Sequence, residues 1–350
     1  MAELGDWPYG PITIIGAGAI GGTVGAFLSE AGYDVTLVDI VREHVEVMNA
    51  EGLRISGIRG DRRFAVKAVH ADDLEGPLGA TFLCVKGHFT GPAIKQYGPR
   101  LAEDGFVLSL QNGLNEPIIA AEVGAERTVG CFIHFGADYL EPGHILLGND
   151  QTIFPGELTG EVTPRIESIR GALTHVMPAE VTTNIWGYLW GKLVYGAMAF
   201  VVSAIDAPVP EVLDNDLGRE LASRAAQEAY LVGSAQTAKL ERIGDFDPEA
   251  FAPGDDVDAR AHAALRAMAD AQRGAIKQHM GIWRDLAVKR RKTEIDMQSA
   301  VLVEYGERAG IPTPVNAATV AVIHAIESGE RGMGWDNLDE IARLAGVPKP

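Results

Sequence analysis

Residues 12–40 read ITIIGAGAIGGTVGAFLSEAGYDVTLVDI, and their punctuation is that of a strand, a glycine-rich turn, a helix and a second strand. Two β-branched runs, at 11–15 and 33–40, flank a stretch rich in alanine and glycine, so the whole reads as a βαβ unit. Gly16, Gly18 and Gly21 form GxGxxG directly after the first strand and at the mouth of the helix. In that setting each glycine has a task. Gly16 allows the tight turn, Gly18 lets backbone approach a pyrophosphate, and Gly21 lets helix and strand pack closely. The helix start at Ala19 and Ile20 presents free N–H groups to the anion. Asp39 closes the second strand, where a carboxylate accepts hydrogen bonds from an adenosine ribose and repels a 2′-phosphate. NAD is therefore the expected cofactor. Arg42, three residues on, keeps NADP open.

Further strand signals stand at 80–86, 105–110 and 128–137. Residues 143–155 read as a hairpin with Gly148-Asn149-Asp150 at its turn. From about Ile185 apolar residues recur instead at helical spacing, over 185–205, 217–240, 258–289, 294–309 and 315–328. Between two of these lies 242–260, acidic and rich in Pro and Gly, which is expected to be a surface excursion. A length of 350 residues fits two domains. The pattern predicts an α/β Rossmann domain over residues 1–183 followed by an all-α domain over 184–350.

A formal net charge of −18 speaks against a nucleic-acid or anionic-membrane surface, so the expected partner is a small molecule. Cys84 and Cys131 form no CxxC. Neither a metal site nor a disulfide framework is expected, and a reducing cytoplasm fits. The opening MAELGDWPYG is polar and acidic, unlike a secretory leader. The apolar run 185–205 is interrupted by Lys192 and several glycines and reads as a buried helix, not a membrane span.

Several short motifs occur in an order that resembles the ketopantoate reductase (2-dehydropantoate 2-reductase) family from about Pro11 to Ser328. They are GAGAIG at 16–21, CVKGH at 84–88, LQNGLNE at 110–116, EPGHILLG at 141–148, WGKL at 190–193 and KTEID at 292–296. The resemblance implies a Rossmann domain followed by a helical domain of the 6-phosphogluconate dehydrogenase C-terminal type, with the active site between them. It implies a nicotinamide cofactor and interconversion of a 2-hydroxy and a 2-oxo acid. Lys86 and Asn112 are then expected near the nicotinamide. Lys192 is expected to bind the carbonyl oxygen and supply its proton, and Glu294 to contact a hydroxyl. Relatives of this kind are often homodimers.

That role fits the chemistry. Hydride arriving at a carbonyl carbon builds negative charge on oxygen, which a positioned cation stabilises and protonates. The bland reading of Lys192 is a side chain snorkelling from a helix end. For Glu294 it is a first-turn carboxylate behind a Thr293 cap.

The chain also departs from the family pattern. Members usually carry asparagine four and eight residues after the lysine, where this chain has Gly196 and Phe200. A family serine upstream of the glutamate corresponds to Ile282 by an ungapped count. With His134, these residues and Asn112 make the expected substrate pocket, changed toward a bulkier and less polar, even aromatic, substrate. Three readings stay open: a divergent secondary-alcohol dehydrogenase, ketopantoate reduction with NADPH, and a non-catalytic dinucleotide-binding protein.

Overall fold

A computed structural model of the chain describes residues 7–274 and 278–348. Of the polar N-terminal stretch, residues 1–6 lie outside that description. The chain divides into two compact units between Ile185 and Trp186.

In the first unit the order is β1 (Ile12–Ile15), α1 (Ala19–Ala31), β2 (Val35–Asp39), α2 (Arg42–Glu51), β3 (Leu53–Gly57), β4 (Arg62–Phe64), β5 (Lys67–His70) and β6 (Leu78–Leu83). Then come α3 (Thr90–Tyr97), β7 (Leu101–Ser109), α4 (Glu116–Val123), β8 (Thr128–Phe132), β9 (Ala137–Glu141), β10 (His144–Leu147), β11 (Phe154–Glu157) and α5 (Pro164–Leu173). Seven strands form one sheet in the order β11-β8-β7-β6-β1-β2-β5. All neighbours are parallel except β11, which runs antiparallel to β8. Every residue of β1 is buried, as expected of a strand covered on both faces. Val24, Phe27 and Leu28 of α1 pack with Ile12 and Ile14 of β1 in one apolar cluster. Strand order runs outward from β1 in two directions, to β2 and to β6. A doubly wound sheet opens its crevice at the carboxyl ends of strands where the order reverses, here after β1 and β6.

A second sheet has the order β4-β3-β10-β9. It corrects the hairpin expected over 143–155. β10 pairs antiparallel with β9, and the chain reverses at Pro142-Gly143, where Gly143 has φ +73°. Gly148-Asn149-Asp150 instead leaves the sheet: the Gly148 N–H donates to Gly136 O at 2.7 Å, and Asn149 Oδ1 accepts from the Gly136 N–H. The run 128–137 is likewise not one strand but the end of β8, a loop and the start of β9.

The second unit is helical, as its spacing predicts: α6 (Ile185–Ser203), α7 (Val209–Asp214), α8 (Asp216–Ser234), α9 (Val257–Gln272), α10 (Gly281–Trp283), α11 (Ser299–Ala309), α12 (Pro314–Glu327) and α13 (Asp336–Ala345). The helix expected over 258–289 is interrupted. α9 stops at Gln272, residues 275–277 lie outside the described residues, and α10 passes into a π-helical turn at Arg284–Val288. The segment 242–260 is not a simple surface excursion either. It contributes Ile243, Phe246 and Phe251 to the interior, at 3%, 9% and 1% exposure, while its carboxylates stay outside. Helix ends are satisfied locally. Asn215 caps α8 by accepting from the Gly218 N–H at 2.9 Å. The buried Glu228 carboxylate receives the Val315 and Asn316 N–H groups of α12, both at 2.9 Å. By length and composition α6 could cross a membrane, but 78% of its apolar window is buried inside the protein, the setting of a core helix.

Candidate active site

The glycine loop starts where β1 ends. Gly16 turns with φ +95°, and a Cβ there would lie 2.9 Å from the Val85 amide nitrogen. A Cβ on Gly21 would stand 2.0 Å from Gly16 O and 3.0 Å from Ile14 Cγ2, so α1 approaches β1 as only glycine allows. Gly18 is different in kind. A Cβ there would meet nothing within 4 Å, and Gly18 is the N-cap of α1 without any side-chain cap. The first amides of α1, from Ala19 and Ile20 onward, have no intrahelical acceptor by helix geometry. Open space above Gly18, bounded by the positive end of a helix, fits a diphosphate.

Two side chains fix this loop from outside. Asp39 Oδ2 accepts from the Ala17 N–H and Oδ1 from the Val41 N–H, each at 3.0 Å. His44 is 1% exposed. Its Nδ1 accepts from the Gly143 N–H at 2.8 Å, which leaves the proton on Nε2, 2.9 Å from Ala17 O. The peptide groups on both sides of Ala17, between the first two glycines, are therefore pinned. Arg42 faces Asp72 and Asp73 at 3.3 and 3.2 Å.

The loops after β6 and β7 are joined by a polar chain. Gln111 Nε2 donates to Val85 O and to Thr90 Oγ1, both at 2.8 Å. The Thr90 hydroxyl donates to Asn115 Oδ1, and Asn115 Nδ2 donates to Asn112 O, again both at 2.8 Å. The half-buried Lys86 and Asn112 each adjoin a residue of the Gln111–Val85 bond, so the structure brings these two expected residues to neighbouring loops. At the first position of α4, Glu116 is wholly buried, and burial pushes its carboxyl up to about 7. Its Oε2 accepts from the Asn115 N–H at 3.1 Å, while Oε1 meets no hydrogen-bond partner among the described residues. His134 lies two residues past β8, half-buried, its ring stacked on Phe132 at 6.0 Å.

In the second unit Lys192 is half-buried on α6, while the flanking Leu193 and Val194 are 1% and 0% exposed. Tyr195, three residues on, donates its hydroxyl to Met280 Sδ at 3.2 Å and meets the Phe246 ring edge-on at 5.3 Å. A Cβ at Gly196 would stand 2.6 Å from Gln298 Oε1, so a side chain there requires the Gln298 carboxamide to move. Glu294 is half-buried and immediately precedes a 3-10 turn at Ile295–Met297. Thr293 anchors this segment: its N–H and hydroxyl both donate to Glu327 Oε1, at 2.7 and 2.6 Å, and its hydroxyl accepts from the Ile295 N–H at 3.3 Å. Phe200 is 0% exposed, so this expected pocket wall belongs to the core and presents no surface to a solute. Ile282 is half-buried on the separate one-turn α10.

Three residues of interest carried no sequence signal. His44 and Gln298 act across long stretches of chain, to Gly143 and Gly196. Glu116 stands out only once its burial is known.

The chain belongs to the ketopantoate reductase family. The family model described as "Ketopantoate reductase PanE/ApbA" matches residues 12–160, and its C-terminal counterpart matches residues 184–327. It is an NAD(P)-dependent oxidoreductase acting on CH–OH groups, of ketopantoate reductase-like type. A 2-dehydropantoate 2-reductase of Archaeoglobus fulgidus is 28% identical over 322 residues, covering 91% of this chain and 98% of that one. The crystal structure of a 2-dehydropantoate 2-reductase from Geobacter metallireducens is 26% identical, with a TM-score of 0.74 over 92% of this chain and all of that one. A D-mandelate dehydrogenase solved with NADH and anilino(oxo)acetate shares the fold at a TM-score of 0.77 and 21% identity, covering 91% of this chain and 99% of that one.

Proposed function

We propose that this chain interconverts a 2-hydroxy acid and the matching 2-oxo acid, with a side group bulkier and less polar than that of pantoate, and that it prefers NAD to NADP. The observation that carries the reading is Lys192: a half-buried ammonium on an otherwise apolar, buried helix, in a chain of a reductase family.

The bound nicotinamide supplies or takes the hydride at the reacting carbon. In the oxidation direction Lys192, as the neutral amine, would take the hydroxyl proton and pass it to solvent, while a nicotinamide held at the glycine loop would accept the hydride, so that the hydroxy acid becomes the oxo acid. In reduction Lys192 returns that proton while its charge stabilises the alkoxide. Glu294 orients the substrate or cofactor by accepting from a hydroxyl. Asn112 and Lys86 hold the nicotinamide end, and His134 borders the substrate.

Tyr195, three residues after Lys192, supports an apolar or aromatic side group, since it carries Phe246 and Met280 against it. Asp39 supports NAD. Arg42, the nearby cation, already faces two carboxylates. Those exposed pairs are weak, about 0–1 kcal/mol each, but their charge adds to the repulsion of a 2′-phosphate. The D-mandelate dehydrogenase that shares the fold takes an aromatic 2-hydroxy acid by its name. The names of the relatives favour a second reading, 2-dehydropantoate reduction with NADPH.

The test follows nicotinamide absorbance with NAD and NADP presented separately, against mandelate and other aromatic 2-hydroxy acids, pantoate, and alcohols lacking a carboxylate. NAD-linked oxidation of an aromatic acid with pantoate inert is expected. Fast NADPH-linked reduction of ketopantoate would establish the second reading instead. Lys192→Ala is expected to lower kcat by roughly 10²–10⁴-fold, the usual scale of a lost general acid. Equal turnover by the two proteins removes Lys192 from the chemistry.

A further inference from the structure

On α6, Gly196 follows Lys192 by one helical turn. Cα–Cβ bonds in a helix tilt toward its N-terminus, so a side chain at 196 would lie over the turn that bears residue 192. That place is taken by another residue. Gln298 Oε1 lies 2.6 Å from where a Cβ of residue 196 would be, so Gly196 is what admits the carboxamide to the face of Lys192. Side chains four residues apart on a helix stand about 5–6 Å apart at Cβ. The Gln298 amide is thus within one small molecule's reach of the lysine stem.

Its backbone is held for this placement. Gln298 has φ −126° and ψ −90°, outside the ordinary helical and extended regions. Its N–H donates to Ile295 O at 3.2 Å and its carbonyl accepts from the Leu302 N–H at 3.1 Å. The same short segment carries Glu294 and is anchored at Thr293 by two hydrogen bonds to Glu327.

We propose that Gln298 is a specificity-determining residue, whose carboxamide N–H holds the carboxylate of a 2-oxo or 2-hydroxy acid beside the carbon that Lys192 serves. The proposal rests on the hydride-transfer reading above and deepens it. With Oε1 toward α6, the –NH2 end is left to donate. A carboxamide suits the task because it donates without carrying charge. An acid at 298 would repel the substrate and pair with Lys192, and an apolar residue would leave the carboxylate without a donor.

The experiment compares the unaltered chain with Gln298→Ala, Gln298→Glu and Gly196→Ala, using a 2-oxo acid and the methyl ketone of the same side group. Circular dichroism and melting temperature report folding. In Gln298→Ala, kcat/KM for the acid is expected to fall roughly tenfold to a hundredfold, mostly through KM, with the ketone unmoved. Gln298→Glu should lose more of the acid activity. Gly196→Ala, whose Cβ displaces the carboxamide, should shift the acid-to-ketone ratio the same way. An unchanged ratio in the folded variants overturns the role of Gln298 and leaves the hydride-transfer reading standing. Failure of the unaltered chain to reduce any 2-oxo acid overturns that reading, and this proposal with it.

Discussion

Glu116 begins α4 with its carboxyl out of water, one oxygen on the Asn115 N–H and the other with no hydrogen-bond partner among the described residues. Desolvation holds its proton up to about 7, against an ordinary 4.5. The folded state therefore keeps a proton that the unfolded chain has released. This favours the fold below about pH 4.5 and is lost as pH rises toward 7, a swing of about 3 kcal/mol by linkage. Glu116→Gln keeps the shape and abolishes the titration. Its melting temperature, compared with that of the unaltered chain, should gain between about pH 5 and 7 and level off above. Parallel profiles would mean the carboxyl does not titrate there. Through Asn115 the same charge touches the backbone of Asn112, so a change in KM for the cofactor over that range is its expected companion.

At the scale of elements, the β1–α1–β2 unit was plain from the sequence because each of its signals is local: β-branched runs, three glycines at fixed spacing, an acid at a strand end. The glycines separate into two kinds that sequence alone does not rank. Gly21→Ala drives a methyl into Gly16 O and should cost about 1–3 kcal/mol or more as overpacking, seen as a lower melting temperature. Gly18→Ala meets only open space, so the fold should hold while NAD affinity, read by calorimetry, falls. Loss of both stability and affinity in Gly18→Ala would show that the space has a structural use instead. Other elements were less legible. Gly148-Asn149-Asp150 carries strong turn residues, yet Pro142-Gly143 makes the hairpin because pairing with β9 buries Ile145 and Leu147. β3 and β4 hide in LRISGIRGDRRF, where β3 alternates over only a few residues and the edge strand β4 carries the exposed Arg62 and Arg63. α9 stops at Gln272 and a π-helical turn follows Trp283, and the periodicity that suggested one long helix encodes neither. In the candidate site, Lys192, Asn112 and the glycine loop stand in motifs that the sequence displays. Gln298 does not, since its meaning comes from Gly196, a hundred or so positions earlier in the chain.

For the molecule as a whole, 48 acidic against 30 basic side chains leave a net charge of −18, which repels a small carboxylate substrate at long range. Capture must then rely on nearby donors and cations, and salt that screens the distant field should help. Raising ionic strength from roughly 0.01 to 0.15 M shortens the Debye length from about 30 to 8 Å, so kcat/KM for an anionic 2-hydroxy acid should rise over that range, with a neutral alcohol little affected. A fall for the acid would mean that a local positive field dominates entry. Two family models, over residues 12–160 and 184–327, cover most of both units, so the fold is the family's. Ala17 is gripped by Asp39 on its N–H and by His44 on its carbonyl, and His44 is itself fastened to the β9–β10 reversal. The glycine loop is therefore a preformed mould, tied through His44 to the second sheet. A dinucleotide settling there loses little affinity to the ordering of its receptor, and loosening Gly143 or His44 would turn a rigid receiving surface into one that must freeze each time it binds.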